Sequence, residues 1–268
     1  MLELAEDECQ IFIENMTEKA FTGKTPVEKP VYTALIGAPG TGKSHLARKI
    51  KNSVVISSDN IIAEYMKTVG IDPRDCEVDE EISRFATMVN NHIVKKAVRE
   101  RYNITYDTSA LLNSLNMGTR LKKYGYKAEF KIMLVDEYQA AMNVVERKLD
   151  FDDEYTKYTY NRIDGAKYPK GNPLEVMPLV SENVSAAVCE FIPKAVEDGL
   201  NVEIYEFGKD KPSFKTGDDF DKFMENIELI PMEQHIERCK KLRNRADMMG
   251  KEDYFLQLKM LEKNMQKG

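Results

Sequence analysis

Val31-Tyr32-Thr33-Ala34-Leu35-Ile36-Gly37-Ala38-Pro39-Gly40-Thr41-Gly42-Lys43-Ser44 is the stretch that decides the fold. Val31–Ile36 is a short apolar run of strand type. Gly37–Ser44 then fits GxxxxGK[ST] at every position. Glycines let a backbone wrap closely around phosphate oxygens, because a Cβ would clash and some of the turns need φ > 0. The turned N–H groups and the start of the next helix aim positive dipoles at an anion. In such a loop Lys43 reaches the β- and γ-phosphates, and the Ser44 hydroxyl is a natural Mg²⁺ ligand. Residues 37–44 are therefore read as a cradle for ATP or GTP.

Working outward, strand and helix patterns alternate. Ser44–Lys51 reads as the helix after the cradle, Val54–Ser57 as a second strand, and Ile61–Lys67 as helix, with Asp59 between them. Val78–Arg101 is a long helical pattern and Asn103–Tyr106 a strand ended by Asp107. Leu112–Lys123, Ala128–Val135 and Glu137–Leu149 follow as helix, strand and helix. Pro173–Asp198 is largely helical, Val202–Phe207 is a fifth strand, and 218–228 and 232–266 are charged and helical. The alternation predicts an α/β fold of three layers, with a mainly parallel sheet of five or more strands. Ligands of such sheets collect at the carboxyl ends of the strands, where Ser44, Asp59 and Asp107 fall.

The 268 residues suit one domain with terminal additions. The division expected is a helical extension over 1–30, a core over 31–210 and a helical extension over 211–268. Within the core, 148–172 is rich in Asp, Lys and Tyr and reads as a flap or lid. A formal net charge of −6 argues against a generally basic nucleic-acid coat. No apolar run is long enough to span a bilayer, and MLELAEDECQ has no signal-peptide pattern, so a cytoplasmic protein without membrane attachment is expected. Cys9, Cys76, Cys189 and Cys239 form no CxxC pair, and His45, His92 and His235 show no triad or metal spacing.

Asp59 follows the strand after the cradle, where a carboxylate can orient or deprotonate an acceptor hydroxyl. The same residue suits a helix cap, and the two readings are compatible. Met133-Leu134-Val135-Asp136-Glu137 resembles the hhhhDE signature of motor-type ATPases, but reads better as an ordinary acidic helix start.

Taken in order, these pieces resemble the zeta toxins of bacterial toxin–antitoxin systems, which are P-loop kinases. FTGKTPVEKPVYTALIGAPGTGKSHLARKI (21–50) is similar to the family's entry into the phosphate loop. VVISSD (54–59) is similar to its strand ending in the catalytic Asp, which lands on Asp59. RYNITYD (101–107) is similar to its GYN-strand-acid segment, which lands on Asp107. LKKYGYKAEFKIMLVDEYQAAMNVVERKL (121–149) resembles the helix, strand and helix before the family's lid, whose first Arg falls on Arg147. The likeness runs over about residues 15–165. YDTSALLN (106–113) also resembles the DTN segment of polynucleotide 5′-kinases.

The resemblance implies transfer of the ATP γ-phosphate to a hydroxyl of UDP-N-acetylglucosamine, and an antitoxin as protein partner. It assigns phosphate binding to residues 37–44, catalysis to Lys43, Asp59, Arg147 and Arg162, and acceptor contacts to Asn91, Asp107, Thr108 and Ser109. Mg²⁺ falls to Ser44, with Asp107 acting through a water. The chain departs from the family at Asn91, near which the family's acidic substrate contact in the preceding helix falls, and in two further places. Thr108-Ser109-Ala110-Leu111 lacks the Arg that follows the strand acid, and the second lid Arg is displaced, Arg162 being nearest. A nucleoside, oligonucleotide or DNA-base acceptor is the enzyme alternative, with Lys148, Lys157, Lys167 and Lys170 as its lid cations. A nucleotide-operated binding module is the non-enzyme alternative. Tyr155, Tyr158 and Tyr160 read as flap packing.

Overall fold

A computed structural model describes residues 4–71, 80–108, 111–150, 173–209, 211–227 and 230–267. Its elements are α1 (Glu6–Phe21), β1 (Val31–Ile36), α2 (Lys43–Lys49), β2 (Ser53–Ile56), α3 (Ser58–Val69), α4 (Glu80–Arg99), β3 (Asn103–Thr108), α5 (Leu111–Lys122), β4 (Lys127–Leu134) and α6 (Glu137–Asp150). After these come α7 (Pro173–Ala186), a π turn (Ala187–Phe191), α8 (Ile192–Glu197), β5 (Asn201–Glu206), β6 (Phe214–Lys215), α9 (Phe220–Glu225), α10 (Met232–Met248) and α11 (Glu252–Met265).

The sheet order is β2-β3-β1-β4-β5-β6. The first five strands are parallel, and β6 pairs antiparallel with β5. β1 lies inside the sheet, so its burial is almost complete and its sequence is apolar apart from Thr33. β4 alternates instead: Ala128, Phe130 and Ile132 face the core, and Glu129 and Lys131 face the other way. There Lys131 pairs with Glu203 of β5, whose carboxylate also accepts from Tyr205 Oη at 2.7 Å. Helices cover both faces. Leu46 of α2 packs with Leu35, Met133 and Tyr205 on one, and Gly118 and Leu121 of α5 lie by the buried Tyr32 and Phe130 on the other. Asn103 pins the register where three strands begin. Its Oδ1 accepts from Val31 N at 2.9 Å and its Nδ2 donates to Asn52 O at 3.1 Å.

Several elements differ from the sequence reading. β3 continues through Thr108, because its ladder with β1 carries Asp107 opposite Leu35 and Thr108 opposite Ile36. Asp107 thus sits inside the strand rather than after it. β6 lies beyond residue 210, the expected end of the core, and two residues are too short to show a period. The helical stretch expected over 232–266 is a pair of helices, as its Met-rich pattern suggests, with the break at Gly250, whose φ of +66° suits glycine. The second of them doubles back, and Leu242, Ala246, Leu258 and Leu261 pack on Ala141, Met142 and Val145 of α6. At the other terminus α1 places Phe12 and Met16 in the main core, with Phe12 near the rings of Tyr65 and Phe85. The π turn falls just before Pro193, which has no amide with which to close an α-helical ladder.

Cys9, Cys189 and Cys239 are free thiols, and Cys76 lies outside the described residues. Among the described residues no helix is long and apolar enough to cross a membrane.

A Cβ on Gly118 would come within 2.8 Å of Phe130 Cζ and 3.3 Å of Tyr32 Cε1. Gly118→Val is expected to destabilise the chain by about 1–3 kcal/mol through overpacking. Urea denaturation measures it, and an unchanged midpoint would show that the rings yield freely.

Candidate active site

The phosphate loop leaves β1 at Ile36 and enters α2 at Lys43. Two of its residues have positive φ, Gly40 at +80° and Gly42 at +93°. Gly40 is required for a second reason: a Cβ there would stand 2.4 Å from the Ala140 carbonyl oxygen of α6. The loop therefore lies flush on that helix, which no residue with a side chain would permit. Thr41 is buried, and its Oγ1 donates to Ala38 O at 2.8 Å. Lys43 Nζ reaches back across the loop and donates to Gly37 O at 2.7 Å and to Ala38 O at 3.1 Å. Its ammonium thus stands over the ring of backbone groups that the sequence reading assigned to phosphate. The Ser44 side chain lies outside the described residues.

α6 holds the loop through polar side chains. Asn143 Nδ2 donates to Gly40 O at 2.6 Å. Asn143 Oδ1 accepts from Gln139 Nε2 at 2.9 Å and from Arg238 of α10 at 2.8 Å. Arg238 also pairs with Glu146. One turn earlier on α10, buried His235 sets Nε2 3.2 Å from Asp136 Oδ1. His235 thus has an acidic partner that its sequence position did not reveal. Asp136 accepts from Gln139 N at 2.8 Å as well, so it caps α6. Burial by itself would raise the Asp136 carboxyl, but the His235 hydrogen bond and the Gln139 amide outweigh it and hold the group below its usual range. Glu137, in the first turn, accepts from Ser181 Oγ. Both acids of the hhhhDE-like segment are thus engaged within the helix start and its neighbours.

Adjacent strands carry the remaining candidates to the same edge of the sheet. β2, β3 and β1 are neighbours, and their carboxyl ends lead to Asp59, to Asp107 with Thr108, and to Gly37. Thr108 is level with Ile36, immediately before the loop. Asp59 is exposed in the first turn of α3 and does not cap it, because Ser57 Oγ accepts the Asn60 amide. Asp107 and Thr108 are half-buried. Asn91 lies on the exposed side of α4, whereas its neighbour Asn90 is buried and donates to Ser58 Oγ at 3.0 Å.

Arg147 belongs to the last turn of α6, but its side chain is outside the described residues. So are Ser109, Arg162, Tyr155, Tyr158, Tyr160 and all four lid lysines' side chains. Among the described residues no group of three or more His, Cys, Asp or Glu side chains could hold a metal ion. A cavity of about 640 Å³ opens between α1, β2, α3 and α4. Ser57, Asn60, Ile61, Glu64 and Lys67 line it at helical spacing, and Asp59 lies off that face, so this cavity is not where the candidate carboxylate is.

Sequence reading did not find Asn143, His235 or Arg238. The available signal was Gln139 and Asn143, two amides at i and i+4 on a helix whose other inward positions are Ala140, Ala141, Met142, Val144 and Val145.

The model of the family described as Zeta toxin matches residues 14–163, more than half of the chain. Among solved structures, a chain of the PezAT chromosomal toxin–antitoxin system of the human pathogen Streptococcus pneumoniae superposes with a TM-score of 0.65 at 14% identity, over 93% of this chain and 98% of that one. AvrRxo1-ORF1:-ORF2 with ATP gives 0.53 at 13% identity over 94% and 84%, and the complex with sulphate ions 0.51 at 13% over 95% and 82%. These likenesses establish the fold, that of P-loop kinase-like zeta toxin structures. No curated protein matches in sequence.

The folded-state value of Asp136 is depressed from an ordinary 3.8, so its contribution to stability is complete above that value and is lost as the pH falls below it, through the lower folded value. Asp136→Asn is therefore expected to cost stability at neutral pH, and the difference from the unaltered chain should narrow under acid. Denaturation midpoints across that range test it, and a pH-independent difference would remove Asp136 from the acid response.

Proposed function

The chain belongs to the zeta toxin family, and we propose that it is an ATP-dependent phosphotransferase whose acceptor is a hydroxyl of a UDP-amino sugar, UDP-N-acetylglucosamine. The observation that carries this reading is the loop itself. Gly40 and Gly42 have positive φ, a Cβ at Gly40 would strike α6, and the Lys43 ammonium lies over the loop's own carbonyls. That donor set fits a polyphosphate: backbone amides and one fixed cation at close quarters.

In this reading the amides of residues 37–44 hold the β- and γ-phosphates, and Lys43 offsets their charge. Ser44 is the side chain that would ligate Mg²⁺, with Asp107 acting through a water. Mg²⁺, when bound, neutralises charge on the transferring phosphoryl group. Asp59 orients the acceptor hydroxyl and takes its proton, a role that its exposed place at the carboxyl edge of the sheet supports. Asn91, Thr108 and Ser109 contact the acceptor. Arg147 and Arg162 pair with the γ-phosphate, since a planar guanidinium matches phosphate oxygens and stays charged. An antitoxin is proposed as the protein partner in the cytoplasm. The structural likeness to a chain of the PezAT toxin–antitoxin system, and to AvrRxo1-ORF1:AvrRxo1-ORF2, supports that partner class.

A phosphate-transfer screen with γ-labelled ATP tests the reading against UDP-sugars, nucleosides, dinucleotide cofactors and 5′-hydroxyl oligonucleotides. Label on the UDP-amino sugar is expected. Label on oligonucleotides alone would replace the acceptor, and ATP-dependent complex formation without transfer would make the chain a binding module. Asp59→Asn is expected to lose about 10²–10⁴-fold in rate as a general base, and Arg147→Ala about 10³–10⁵-fold as a transition-state cation. Unchanged transfer by Asp59→Asn would remove it from the mechanism.

A further inference from the structure

We propose that Arg238, on a helix far along the chain from the phosphate loop, is a positioning residue for that loop. The inference rests on the nucleotide-binding reading above. The chain of contacts begins at Gly40, whose carbonyl is held toward α6 by Asn143 Nδ2 at 2.6 Å. A trans peptide is planar, so fixing that carbonyl sends the Thr41 amide of the same plane the opposite way, into the loop. Among the described residues it makes one long bond there, 3.4 Å to Ala38 O. The amide is aimed but loosely occupied, which suits a donor that an incoming oxygen must recruit.

Asn143 can do this only in one orientation of its amide. Rotated by half a turn, its oxygen would face the Gly40 carbonyl and repel it. Two donors prevent that rotation by taking Oδ1: Gln139 from the same helix at 2.9 Å, and Arg238 from α10 at 2.8 Å. Arg238 is held in turn by Glu146, and His235 one turn before it docks on Asp136 at the start of α6. One face of α10 thus grips α6 at 136, 143 and 146. Of these contacts, the one at Asn143 is the one that reaches the loop.

The helical hairpin of α10 and α11 therefore has a task besides burying Cys239, Leu242 and Leu258. It selects the amide orientation that pre-organises the cradle. Pre-organisation shows as affinity, because its loss makes the ligand order the loop on binding.

The test is equilibrium binding of Mg²⁺ with the ATP analogue AMP-PNP to the full chain, by calorimetry, with melting temperatures measured on the same samples. Arg238→Met is expected to weaken binding about tenfold, the loss typical of one hydrogen bond to a charged donor. Asn143→Ser is expected to weaken it at least as much. The decisive variant is the double one: with Asn143 already replaced, Arg238→Met should weaken binding no further, because Arg238 acts through that amide. A role confined to stability would lower the melting temperature and leave the affinity of the folded protein unchanged. Wild-type affinity in Arg238→Met would overturn the proposal, as would a full second loss in the double variant. Should Arg238→Met fail to fold, wild-type affinity in Asn143→Ser would overturn it equally. Since the readout is binding, a change of acceptor leaves the proposal standing, whereas failure of the unaltered chain to bind AMP-PNP overturns both it and the nucleotide reading.

Discussion

The contact between Gly40 and α6 is the constraint on which the rest of the site depends. The loop backbone comes so close to Ala140 that no side chain fits between them, and the Gly40 carbonyl is tied down by Asn143 at the same place. Everything that fixes α6 therefore fixes the loop. β4 delivers α6 beside the carboxyl end of β1 because the two strands pair in register from Val31–Lys127 to Ile36–Ile132. Asp136 starts the helix there, capping it and anchoring it to His235. A rigid sheet and a helix set upon it hold a polyphosphate cradle better than a loop could by itself, because the ordering cost is met on folding rather than on binding.

The same arrangement explains why the carboxyl-terminal helices are part of the machinery. The α10–α11 hairpin adds an apolar cluster behind α6, with Cys239, Leu258 and Leu261 fully buried. Around that cluster its polar residues are specific: His235 and Arg238 meet acids or amides of α6, and Arg243 pairs with the buried Glu262 inside the hairpin. Burying such groups is favourable only where each finds its partner, so these contacts register the hairpin on α6 more strictly than the apolar cluster would.

The opposite edge of the sheet is built differently. β2 is short and terminal, and α3 rises from it through the Ser57 cap, which leaves Asp59 in the first turn facing solvent. Ser53 and Thr105 share a buried hydroxyl hydrogen bond of 2.7 Å between β2 and β3. Asn90 ties α4 to the start of α3 through Ser58. The candidate acceptor side joins the cradle through the pairing of β3 with β1, whereas the cradle is clamped from behind.

Legibility in the sequence followed the range of the interactions. The strand-loop-helix run at 31–49, the parallel α/β class and the strand ends carrying Asp59 and Asp107 could be read because each rests on local chemistry: apolar runs, glycine-demanding turns and a lysine at fixed spacing. Asp136 as a helix start was readable for the same reason. The extension of β3 through Thr108 and the two-residue β6 were not, since ladder pairing reaches across the chain and outweighs local propensity. The clamp of Arg238 and His235 on α6 was the least visible of all. Nothing within a few residues of either side chain names its partner, about a hundred positions away by the pair that joins Asp136 to His235 and Asn143 to Arg238; only a folded chain, in which hydrophobic burial has already set α10 against α6, brings those charges together.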